Sequence, residues 1–233
     1  MLMVCLLAAW PTAAPWVVLD PGHGGEARGA VRDGIEEADV VLDIAQAAAR
    51  RLTTLGVQVQ LTRNGDHDLS LRDRIDLAHR LNAAAFVSIH VNASSSPKRR
   101  GTETYLASVL QTDDFTAALV AREQASAGAS TGPSDPVDRI LSDLLIESAR
   151  SASADLGGAI QSRLSGVAGM GPSRGLRQAP FTVLTDAKVP AVLVEAGYVT
   201  HPHQRRALAR AQTRRALGEA LADGVAAFVR REP

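Results

Sequence analysis

The chain predicts an α/β fold: a mainly parallel, mixed sheet covered by helices on both faces, in a single domain with a helical insertion. Two patterns predict it. Short apolar runs bounded by turn residues alternate with longer segments whose apolar residues recur at three and four. Between Trp16 and Ile89 the order is strand, helix, strand, helix, strand, which favours parallel pairing through right-handed crossovers. Composition adds a third constraint. Apolar residues make up 45% of the chain but aromatics only 3%, so the core must be built from Ala, Val, Leu and Ile. A length of 233 residues suits one large domain able to bury a substantial core.

Residues 1–14 are an apolar run ending in small residues, too short to span a bilayer. They resemble the core of an export leader that lacks its basic start, which would place the protein in the periplasm or outside the cell. Pro15 is a poor residue to follow a cleavage site, and a first strand leading into Trp16 is the competing reading. No other stretch is a candidate membrane span.

Trp16–Asp20 reads as a buried strand ended by Pro21-Gly22. A Gly-rich loop follows over residues 22–34, then a helix from about Glu36 to Leu55 with Val41, Ile44, Ala48 and Leu52 on one face. Val57–Leu61 alternates and is a second strand. Ser70-Leu71-Arg72-Asp73 has capping-box form and opens a second helix. Ala85–Ile89 and Thr102–Leu106 are further strands. From Ser108 to Gly158 no strand is apparent, and residues 125–134 read as loop. Asp135-Pro136-Val137-Asp138 is a helix start whose pattern continues, in one or two segments, to Leu164. Residues 165–175 read as a second Gly-rich loop, Phe181–Leu184 and Ala191–Glu195 as the last strands, and the region from Pro202 as a C-terminal helix.

Equal numbers of basic and acidic side chains, 25 each, exclude a general nucleic-acid binder. The arginine clusters at 98–100, 205–206 and 214–215 read as solvated faces. With Cys5 alone there is no intramolecular disulfide, no cysteine zinc finger and no convincing cysteine nucleophile. There is no Gly-x-Ser-x-Gly elbow, Walker loop or dinucleotide fingerprint.

Three apolar runs end in residues suited to a metal: His23 after Leu19-Asp20-Pro21-Gly22, His90 after Val87-Ser88-Ile89, and Glu195 after Val192-Leu193-Val194. Strand ends of an open parallel sheet converge on one crevice. With Glu37 in the first turn of its helix, these residues form a candidate zinc site of two histidines and one carboxylate, with Glu195 as separate base. Catalytic zinc takes three protein ligands and lowers the pKa of a held water from about 15.7 toward about 7. Each residue also has a structural reading. A histidine at a strand end can be a hydrogen-bonded core residue, and Glu36, Glu37 and Asp39 can serve the helix dipole. Glu195 is harder to explain that way, because a carboxylate after Ala-Val-Leu-Val is buried and needs a stabilising partner. His201-Pro202-His203 is a competing ligand pair on what reads as a surface turn, and His67 and His79 read as surface or helix-packing residues.

Taken together the motifs are specific. Leu19–Gly25, Gly34–Val40, Leu61-Thr62-Arg63, Ser70–Arg74, Ser88–Ala93, Gly101–Tyr105 and Val192–Tyr198 occur in the order found in the zinc-dependent N-acetylmuramoyl-L-alanine amidases of the amidase 3 type. The chain resembles this family over residues 16–230. The resemblance implies a Zn2+ cofactor held by His23, Glu37 and His90, with Glu195 as catalytic carboxylate. Glu37 rather than Glu36 is implied because the family's ligand lies two before Asp39. It also implies peptidoglycan as substrate, with hydrolysis of the amide joining N-acetylmuramic acid to L-alanine. Arg174 stands where relatives often have an arginine and reads either as a contact to an anionic substrate group or as a surface loop cation.

The catalytic domain spans residues 15–231, and residues 108–158 resemble the regulatory insertion of amidases that separate daughter cells. The resemblance implies that the Pro136–Arg150 helix covers the site until a protein activator displaces it. An acid of the insertion region would then fill zinc's open position, with Glu103, Glu123, Asp143 and Glu147 as unranked candidates. An extra packing helix is the structural alternative. A monomer is expected, with no stable membrane span. Two other functions compete: a zinc peptidase of different bond specificity on the same scaffold, and a catalytically inactive peptidoglycan-binding regulator, against which Glu195 argues because binding needs no base.

Overall fold

The computed structural model describes residues 14–108, 113–124 and 136–230; for 136–143 and 145–147 only the helical path is described. Residues 1–13 of the expected leader, the 125–134 loop, Asp135 and the side chains of Asp143 and Glu147 therefore lie outside the described residues.

In chain order the elements are β1 (Trp16–Pro21), β2 (Val31–Arg32), β3 (Ile35–Glu36), α1 (Glu37–Thr54), β4 (Gln58–Leu61), α2 (Leu71–Arg80), β5 (Ala85–Asn92), β6 (Thr102–Ala107), α3 (Asp114–Gln124), α4 (Pro136–Leu164), β7 (Ser173–Ala179), α5 (Thr182–Thr185), β8 (Ala191–Tyr198), α6 (Pro202–Leu208) and α7 (Ala211–Val229). Six strands form one sheet in the order β4-β1-β5-β8-β6-β7, and β2 and β3 form a small hairpin. The pairs β4–β1, β1–β5 and β5–β8 are parallel. The chain reverses at β6, which is antiparallel to β8 and parallel to β7. One rim of the sheet therefore collects the C-terminal ends of β1, β5 and β8 and the N-terminal ends of β6 and β7.

Period-two alternation assigns each strand residue to a face. Val17, Leu19, Val87, Ile89, Val91, Val192 and Val194 point to a core shared with α1, α4 and α7. Val18, Phe86, Tyr105 and Leu193 point to the opposite core, shared with α2, α3 and α5. By the same alternation Asp20, His90, Glu103 and Glu195 lie on this second face. With so few aromatics, helices pack closely through small residues. A Cβ on Gly218 of α7 would meet the Ile44 carbonyl of α1 at 2.5 Å, and one on Gly224 would meet Ile160 Cα of α4 at 2.6 Å.

Several boundaries differ from expectation. The 22–34 loop contains β2 and leads into β3. Residues 173–175, expected as loop, begin strand β7. That strand lies at the sheet edge and is largely exposed, so it lacks an apolar run. Phe181–Leu184, expected as a strand, is a helix start: Phe181 is the N-cap of α5, and Val183 and Leu184 are buried in the second core. The C-terminal helix is two helices, with Ala209 and Arg210 between them.

Helix α3 has no counterpart in the pattern read from the sequence. It buries Thr116, Leu119, Val120 and Glu123. This spacing is helical, but two of its four residues are polar, so a hydrophobicity pattern does not show it. His201, expected on a surface turn, is buried and caps α6, its Nδ1 accepting from Gln204 N at 3.3 Å. No helix among the described residues is long and apolar enough to cross a membrane.

Candidate metal centre

His23 sits just beyond β1. Gly22 N donates to Ile89 O at 3.0 Å, tying the loop to β5, and His23 then takes a left-handed conformation with φ 57°. His90 is the sixth residue of β5, and Glu37 opens α1. Glu37 is fully buried and its carboxylate joins three segments. Oε2 accepts from Ala30 N at 2.7 Å and Oε1 from Val91 N at 2.9 Å, while His90 Nδ1 lies 3.1 Å and His23 Nε2 3.2 Å from Oε1. A fourth donor comes from α3: Glu123 Oε2 lies 2.9 Å from both His23 Nε2 and His90 Nδ1.

One ligand atom from each of His23, Glu37, His90 and Glu123 falls within 4.8 Å of the others. A tetrahedral zinc with bonds of about 2.0–2.1 Å separates its donors by roughly 3.3 Å. The histidine–carboxylate spacings of 2.9–3.2 Å are close to that. His23 Nε2 and Glu123 Oε2 are buried without a well-formed hydrogen bond, as atoms meant for a cation would be. Two imidazoles and two carboxylates suit zinc chemically. The residues fit the ion.

The electrostatics agree. Burial would push the Glu37 carboxyl up, but the His23 charge and hydrogen bonds from both histidines outweigh it and hold it down at about 2. Burial disfavours charge on His90, yet Glu123 and Glu37 raise its pKa well above the usual range; His23 is raised by the same two acids. Metal binding therefore competes with protons at this site.

Glu195 is fully buried on β8, in register with His90 on one side and Glu103 on the other. It is not one of the four clustered donors. Among the described residues neither carboxylate oxygen has a hydrogen-bond partner, and burial, then Glu123, push its pKa well above the ordinary carboxylate range. A carboxyl raised in this way beside a cation site suits proton transfer.

Glu103 does not reach the donor cluster. It is buried at the same rim, where its carboxylate accepts from Asn92 Nδ2 at 3.1 Å and from the Tyr198 hydroxyl and lies 3.1 Å from Arg174 Nε and 2.7 Å from Arg177 Nε. Of the two candidate acids whose side chains are described, Glu103 and Glu123, Glu123 is the one at the donors. It stands on α3, whose turn spacing aims residue 123 toward the crevice, N-terminal to the Pro136–Arg150 segment, most of whose side chains lie outside the described residues.

The chain matches the family of N-acetylmuramoyl-L-alanine amidases over residues 17–227. It belongs to that family. It is 35% identical to the N-acetylmuramoyl-L-alanine amidase AmiA of Escherichia coli K12 over 223 residues, covering 91% of this chain and 75% of AmiA. It is 32% identical to AmiC of Neisseria meningitidis, covering 92% of this chain and 53% of that protein. Among solved structures, AmiC2 of Nostoc punctiforme superposes with a TM-score of 0.70 at 30% identity, over 93% of this chain and 98% of that one. The amidase is thus a peptidoglycan hydrolase on an amidase catalytic domain, and neither a peptidase nor an inactive binding protein is favoured.

Proposed function

We propose that this amidase is zinc-dependent and that Glu123 holds it closed until the insertion is displaced. The observation that carries the reading is the convergence of His23, Glu37, His90 and Glu123 on one point, with Glu195 beside it on the next strand. His23, Glu37 and His90 would be the resident ligands. Zinc, when bound, supplies Lewis acidity to the scissile carbonyl and makes a water nucleophilic near neutral pH. Glu195 accepts a proton from the attacking water and returns it to the departing nitrogen. The water oxygen bonds to the lactyl carbonyl carbon, the carbon–nitrogen bond breaks, and a muramic carboxylate and the amine of L-alanine result.

Glu123 occupies the position substrate needs. Its other oxygen, Oε1, lies 2.6 Å from Arg122 Nη2, and α3 is anchored by Leu119 and Val120 in the second core and by Arg99 stacked 3.6 Å over Phe115. Burial of two such aliphatic side chains contributes about 1.5–3 kcal/mol each, so opening requires a compensating partner. A protein activator acting on the insertion, in cell-wall remodelling or daughter-cell separation outside the cytoplasm, fits that requirement.

Two experiments test these assignments. Purified protein should carry about one zinc per chain and release stem peptides with free L-alanine amino termini from peptidoglycan, lose this activity on chelation and regain it with zinc. Full activity after exhaustive chelation, or cleavage within the stem peptide, would refute the proposal. Arg174, whose Nε is fixed by Glu103, is assigned to an anionic group of the substrate. Arg174→Ala should raise KM roughly tenfold, the scale of one lost charge-assisted contact; an unchanged KM removes Arg174 from recognition.

A further inference from the structure

Two motifs, Leu61-Thr62-Arg63 and Ser70–Arg74, have no part in the chemistry above. Their arginines are both buried, and both are turned onto the backbone that carries His23. Arg63 is 2% exposed and all four of its hydrogen bonds go to carbonyls: Nε to Pro21 O at 3.0 Å, Nη2 to Gly22 O and Ala38 O at 2.8 Å each, and Nη1 to Gly65 O at 3.0 Å. Arg74 is 4% exposed and donates from Nη1 to Asp20 Oδ1 at 2.7 Å and Pro21 O at 2.9 Å, and from Nη2 to His23 O at 2.8 Å and Leu69 O at 3.4 Å. Asp20 is fixed in turn by Thr62 Oγ1 at 2.7 Å and Ser88 Oγ at 2.8 Å.

The carbonyls of three consecutive residues, 21 to 23, therefore all end on a guanidinium. The left-handed turn at His23 leaves these carbonyls without strand partners, and burial makes unpaired carbonyls unfavourable. The arrangement reaches beyond His23. Arg63 Nη2 bridges Gly22 O, next to His23, and Ala38 O, next to Glu37. Gly22 in turn lies against the His90 ring so closely that a Cβ there would fall 2.3 Å from it. One clamp thus sets the relative positions of three ligands.

We propose that Arg63 and Arg74 are positioning residues for the metal: they fix the 21–23 backbone so that His23, Glu37 and His90 are at ligand distance before the ion arrives. The inference rests on the zinc reading given under Proposed function. Lysine cannot replace either arginine, because one ammonium cannot span carbonyls that a planar fork of five donors reaches together.

The test is zinc affinity, measured by competition with a chromophoric chelator on the full chain, together with thermal melts of metal-free and zinc-loaded protein. Arg63→Lys and Arg74→Lys should fold with wild-type circular dichroism, bind zinc about 10–100-fold more weakly, and show a smaller zinc-induced rise in Tm. Equal lowering of both melts with unchanged zinc affinity would mean a purely structural role and would overturn the proposal. Should the lysine variants not fold, Thr62→Val and Ser88→Ala each remove one bond from Asp20 and should weaken zinc a few-fold; unchanged affinity in both overturns it equally. If the wild type itself binds no zinc, the metal reading fails instead.

Discussion

Glu195→Ala is expected to keep about one zinc per chain while losing turnover by roughly 10²-fold or more, the scale of a missing general base. Glu195 lies on the strand next to His90 but outside the group of four clustered donors, so its removal takes no ligand from the ion. Both its oxygens are buried and, among the described residues, unpartnered, an arrangement that disfavours the charged form and has no evident structural benefit. Metal analysis and peptidoglycan digestion on the same preparation decide the matter. Loss of zinc along with activity would make Glu195 a ligand, and retained activity would remove it from the chemistry.

The second large effect runs in the opposite direction. Glu123→Ala should raise the basal activity of the purified amidase by about tenfold or more, since each 1.4 kcal/mol by which the closed state is favoured lowers the open fraction tenfold. Removing this carboxylate frees the fourth donor position and takes away the charge that most strongly raises Glu195 after burial. Three donors remain, enough to hold a catalytic zinc. Zinc content must be measured in parallel, because Glu123 contacts both histidines. Unchanged or lower activity at full zinc occupancy would show that Glu123 is not the block.

A rise in activity would place the proposed control element on α3. Helix α3 ends one residue beyond Glu123, where Gln124 Nε2 donates to Pro180 O at 2.8 Å. A segment tied to the crevice in this way can leave it without unravelling the sheet, because its buried apolar anchors, Leu119 and Val120, belong to the second core alone. An activator would have to offset the burial of Leu119 and Val120 and the Arg99–Phe115 stack.

Much of the fold is legible in the amino-acid pattern. The strands β1, β5 and β8 each open on an apolar run because they are buried on both faces. Ser70 caps α2 as its motif predicts, accepting from Asp73 N at 3.1 Å. Edge strand β7 escapes such a reading because exposed strands need no apolar run. Helix α3 escapes it because Thr116 and Glu123 break its stripe, although the 116-119-120-123 spacing is there to find.

The sequence by itself determined strands β1, β4, β5, β6 and β8, the placement of His23, His90 and Glu195 toward the C-terminal halves or ends of three of them, and membership in the amidase family, because burial and strand termination leave local patterns. Which acid joins the two histidines and Glu37, and which side chains hold the backbone behind His23, only the tertiary structure decided. Glu123 arrives from a helix outside the sheet, Glu103 is held away by arginines from a neighbouring strand, and Arg63 and Arg74 bond to backbone carbonyls far along the chain. Contacts of that kind depend on the through-space meeting of distant segments and leave no periodicity for a sequence to show.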